Sequence, residues 1–138
     1  MNYYWSLNTI VKSRFIIWVA FLSFSISLLP SCEKGPGEGG TSSIVGSVEV
    51  DDFQNGEIYP GVDENVYLIY GDDVTYSERI KSSFDGRFEF KYLREGSYTV
   101  YVYSDTLTSS GTTAVKKSIE ITSRKQEVSA GTLQIKKY

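Results

Sequence analysis

Histidine is missing from this 138-residue chain, and the absence removes whole reaction classes. Without imidazole there is no base for a serine or cysteine nucleophile and no imidazole ligand for zinc. Cysteine occurs once, as Cys32, so an internal disulfide is impossible and the single thiol needs its own account. A basic stripe is lacking as well. Lys and Arg total 14 against 17 Asp and Glu, whereas a nucleic-acid partner demands clustered cations that release counterions. Proline is scarce (3) and methionine occurs once, against 11 Tyr and 7 Phe, and no stretch sustains an apolar period of 3.6. Such a composition favours strands over helices. An all-β chain with no catalytic role, no cofactor and no metal site is the expectation.

The first third differs in kind from the rest. Residues 1–14 carry Lys12 and Arg14 and no acid, and an apolar run from Phe15 to Leu29 follows, broken by serines and closed by Pro30. That is the layout of a signal peptide's charged and apolar regions, too short for a spanning helix. The run ends Leu29-Pro30-Ser31-Cys32, which resembles the bacterial lipobox, with Pro30 where a small or β-branched residue is usual. The resemblance implies cleavage between Ser31 and Cys32, lipidation of Cys32, and a lipid anchor in the cell envelope, at the outer membrane of a Gram-negative bacterium. Several acyl chains at about 0.8 kcal/mol per methylene would hold far better than one. Loss of residues 1–31 leaves 12 basic against 17 acidic residues.

Residues 32–43, rich in Gly and polar groups, read as a flexible tether with a reach of roughly 20 Å. From Ile44 the pattern turns to period two: Ile44, Gly46, Val48 and Val50 share one face. Alternation recurs at Val66 to Tyr70, Tyr76 and Ile80, Phe88 and Phe90, Tyr98 to Val102, Ile119 and Ile121, and Leu133 and Ile135. Seven short strands over residues 44–138 predict one antiparallel β-sandwich domain. Asp85-Gly86 is the strongest hairpin signal, because glycine accepts the positive φ of a tight turn.

Tyr59-Pro60-Gly61-Val62, Phe84-Asp85-Gly86-Arg87-Phe88-Glu89-Phe90 and Leu93-Arg94-Glu95-Gly96-Ser97-Tyr98 together resemble the carboxypeptidase regulatory-like domain. That resemblance implies a transthyretin-like, seven-stranded sandwich and an accessory, non-catalytic role. It does not supply a partner.

If consecutive strands alternate in direction, the loops sort by end. Residues 51–64, 84–86 and 104–114 then lie together, away from the tether and from residues 71–74, 92–96 and 122–131. The distal loops hold Phe53 and Tyr59, aromatic candidates for stacking on sugar. Tyr67, Tyr101 and Tyr103 have outward parity and form an exposed aromatic patch if their strands adjoin. Thr106 in Asp105-Thr106-Leu107 fits an O-glycosylation pattern, and Asp51 with Asp63 is the carboxylate pair a hydrolase would need. The expected partners are the membrane, through the lipid anchor, and an envelope protein, with carbohydrate as the alternative.

Overall fold

The computed structural model describes residues 34–106 and 111–138. The signal segment, Ser31 and Cys32 lie outside them. Eight strands form: β1 (Glu38–Asp52), β2 (Glu57–Pro60), β3 (Asn65–Tyr70), β4 (Glu78–Lys81), β5 (Arg87–Leu93), β6 (Gly96–Asp105), β7 (Thr112–Ile121) and β8 (Glu127–Lys137). In one sheet β1 is central, with β8 along one edge and β5 then β2 along the other. The second sheet runs β4-β3-β6-β7. The two pack face to face around Ile44, Val48, Leu68, Phe90, Tyr98 and Leu133.

The all-β sandwich is as expected, with two differences. β2 is an eighth strand, hidden in what the sequence presents as one long loop, residues 51–64. All four of its residues are exposed, so no apolar alternation marks it. The antiparallel expectation also fails at one pair, because β1 and β8 run parallel. The seven longer-range strands alternate in direction, so the first and the last point the same way and become parallel once adjacent.

Alternation does sort the loops as expected. The connections β1–β3, β4–β5 and β6–β7 share the upper end with Tyr138, where Phe53 meets Tyr138 with ring centroids 5.3 Å apart. Lys34 and the connections β3–β4, β5–β6 and β7–β8 share the lower end, where Arg124 pairs with Glu95 across two turns. The last of these turns is shorter than residues 122–131 suggest, since β8 begins at Glu127.

Two strands break period two. In β5 the buried positions are Phe88, Phe90 and Leu93, because Tyr92 adopts φ 59° and turns its ring outward. In β8 the buried positions are Ala130, Leu133 and Ile135, with Gly131 at φ 70° absorbing the extra residue between the first two. The pairing with β1 slips by one between Val45 and Gly46 at this point. Gly46 is obligatory there for a second reason: a Cβ would collide with the Phe88 ring and lie 2.9 Å from the Gly131 carbonyl oxygen.

The tether is the clearest revision. β1 begins at Glu38 rather than Ile44, and Ser42 is 2% exposed. Its hydroxyl donates to Ser123 O at 3.0 Å and accepts from Gln126 N at 3.1 Å. Gly40 lies so close to the Leu93 backbone that no Cβ fits. Gly40, which reads as flexible linker, is there because two backbones nearly touch.

Candidate functional site

The outer face of the β4-β3-β6-β7 sheet carries a tyrosine cluster. Register places Tyr67 beside Tyr101, and their rings stack 4.9 Å apart at 11°. Tyr103 meets Tyr67 and Tyr101 edge-on, each at 5.5 Å. Tyr76 closes the group from the β3–β4 turn, its ring edge-on to Tyr67 at 5.1 Å. Offset and edge-to-face geometries suit the ring quadrupoles, so each contact adds to simple burial.

The four rings divide into contact and support. Tyr76 and Tyr103 are about half exposed (49% and 46%), whereas Tyr101 is 7% exposed although its parity points outward. Neighbouring rings, not the opposite sheet, cover Tyr101. Burial, with a hydrogen bond to the Tyr103 hydroxyl next, pushes its phenol up to about 12. Arg79 stands beside Tyr67 in β4, and Lys116 stands beside Tyr101 in β7. The row across the sheet is therefore cation, ring, ring, cation.

Tyr67, Tyr101 and Tyr103 are thus brought together as their parity suggests. Tyr76 is a correction: its spacing to Ile80 places it with the core, yet β4 starts only at Glu78 and the turn breaks the alternation. The register that sets Arg79 and Lys116 beside the rings is invisible in sequence, because it depends on which strands pair.

Phe53 and Tyr59 lie elsewhere, at the upper end, 59% and 43% exposed. Ile58, Val62 and Phe84 are exposed at the same end. Asp52 organises the turn after β1: its carboxylate accepts from Gln54 N, Asn55 N and Asn55 Nδ2. The Asn55 side chain foremost holds it below the usual carboxylate range. Val62 precedes Asp63, a non-glycine at φ 59°.

Asp51 and Asp63 do not form a pair. Asp51 sits in β1 between Ile58 and Lys136, while Asp63 is bound by Lys81 Nζ at 2.6 Å. Thr106 donates its hydroxyl to Gly111 O at 2.9 Å; Leu107 lies outside the described residues.

Residues 40–129 match the family model described as polysaccharide lyase family 4, domain II, a span that covers all of β2 to β7. The chain belongs to this family. The match names this family rather than the carboxypeptidase regulatory-like one, and the three motif regions 59–62, 84–90 and 93–98 fall within it. A solved structure from Pseudomonas aeruginosa, provisionally described as a carbohydrate binding protein, is similar at 14% identity and a TM-score of 0.47. It covers 73% of this chain and 91% of its own. No protein of curated function matches. Among the described residues of this family 4 domain II, the tyrosine face of the sheet and the upper end each carry more than one exposed aromatic ring.

Proposed function

We propose that the chain is a non-catalytic, lipid-anchored module of the Gram-negative cell envelope that binds polysaccharide on the tyrosine face. One observation carries the reading: Tyr67, Tyr76, Tyr101 and Tyr103 converge on one sheet face with Tyr76 and Tyr103 half open to solvent. A sugar ring offers flat C–H faces rimmed with hydroxyls. Phenol rings match both, with an apolar face for stacking and a hydroxyl for hydrogen bonding. Family membership supports the ligand class, since the name of the parent family is that of enzymes acting on polysaccharides. Anchoring rests on the Leu29-Pro30-Ser31-Cys32 motif.

A glycan array followed by titration tests the ligand. Tyr103→Ala is expected to weaken binding by about tenfold, the order of one good contact, with the fold intact by circular dichroism. Absence of any glycan binding would overturn the reading. Palmitate labelling lost in Cys32→Ala tests the anchor.

A second reading has its own observation. Phe53, Ile58, Tyr59, Val62, Phe84 and Tyr138 are all exposed at the upper end, which suits an envelope protein partner. Crosslinking from Tyr59 and identification of the captured protein distinguishes it.

A further inference from the structure

Residues 34–43 are not slack chain. The Tyr98 hydroxyl accepts from Gly37 N at 2.9 Å and donates to Arg94 O at 2.7 Å. Arg94 N donates to Gly37 O at 2.9 Å, and Arg94 Nε donates to Gly35 O, also at 2.9 Å. Pro36 fills the space beside Gly96 and Gly71, where any Cβ would crowd it. Thr41 accepts from Lys125 N at 3.1 Å. The strap is therefore tied to all three lower turns, and its first described residue, Lys34, belongs to the lower end.

Cys32 precedes Lys34 by two residues, a covalent reach of about 7 Å against the roughly 20 Å of a free tether. The lower end suits a headgroup layer. Val74 is 97% exposed, and Tyr92 is 70% exposed on a backbone turned to positive φ. Arg124, nine-tenths exposed at the same end, reaches out from its pair with Glu95. Exposed apolar and aromatic side chains of this kind are what a bilayer interface accommodates, and Lys34 and Arg124 offset the acidic Asp72, Asp73 and Glu95 at the same end.

We propose that this lower end rests on the membrane surface, held there by the docked strap, so that the strands stand upright and the tyrosine face looks sideways along the bilayer. The inference rests on lipidation of Cys32. It makes the domain a membrane-seated platform rather than a tethered float.

The processed chain offers a clean probe, because both tryptophans, Trp5 and Trp18, precede Cys32. Val74→Trp and Tyr59→Trp each place a sole tryptophan at the lower and upper ends, about 30 Å apart by strand length. The full lipoprotein is reconstituted in vesicles containing a headgroup-nitroxide lipid, and mass spectrometry reports the state of Cys32. The expected result is strong quenching at position 74 and little at 59. A lipidated protein with no quenching at 74 overturns the seating alone, as does equal quenching at both sites. An unmodified Cys32 overturns the anchor and the seating together. A ten-residue Gly-Ser insertion between Glu33 and Lys34 should relieve quenching at 74; unchanged quenching would mean that the lower end binds lipid without the strap, against the proposed role of the strap.

Discussion

Tyr67 and Tyr101 stack across β3 and β6 with ring planes 11° apart, and Tyr101 is buried although it sits on the outside of the sandwich. Packing and solvent exposure therefore separate by residue on one surface.

Tyr101→Ala should destabilise the domain by about 3 kcal/mol, the scale for removing a buried aromatic. Tyr103→Ala, half exposed, should cost about 1 kcal/mol or less. Urea unfolding of both variants checks this. Equal losses would mean that the cluster is one packed unit with no open contact side.

Tyr98→Phe keeps the ring in the core and strands the Gly37 amide, whose acceptor is the lost hydroxyl. A buried unpaired donor costs about 1–3 kcal/mol. Hydrogen exchange should accelerate at Gly37 and at Arg94, which shares the same knot, with little change at Val100.

Gly46→Ala drives a methyl group into the Phe88 ring at the slip between β1 and β8. Overpacking of this kind costs about 1–3 kcal/mol. Pairing Gly46→Ala with Phe88→Leu, which opens space, should recover part of the loss; a purely additive double variant would place the strain in the backbone.

Burial pushes the Tyr70 phenol up to about 12, with the nearby Glu78 carboxylate reinforcing it, and burial likewise holds Tyr101 at about 12. The unfolded chain ionises its tyrosines near the ordinary phenol value of about 10. Folded values above unfolded ones mean that this stabilisation is whole below pH 10 and drains away as pH rises towards 12. Denaturant midpoints should fall over that window, and tyrosinate absorbance should show a late-titrating fraction that unfolding abolishes.

Much of the fold was legible because burial writes itself into alternation. Val66 and Leu68, Phe88 and Phe90, and Tyr98 and Val100 all alternate in sequence and all face the core. Directional alternation also sorted the loops between two ends without any knowledge of which strands pair. The outward parity of Tyr67, Tyr101 and Tyr103 marked three of the four rings.

What failed shares a physical cause. Tyr92 and Gly131 each insert a residue at positive φ, so period two resumes out of phase. Tyr76 joins the outer face through a turn that no periodicity crosses. The glycines at 35, 37, 39 and 40 read as flexibility, yet Gly37 is gripped by Tyr98 and Arg94, residues about sixty positions away.

The amino-acid order by itself determined the strand-rich composition, the exclusion of imidazole chemistry and the inward set of apolar residues, because each is a property of single residues or near neighbours. Only the tertiary structure decided that β1 lies parallel to β8, that Arg79 and Lys116 flank the stacked tyrosines, and that the glycine-rich strap is docked. Those depend on which distant backbones come within hydrogen-bond reach, and that is settled by the packing of two whole sheets.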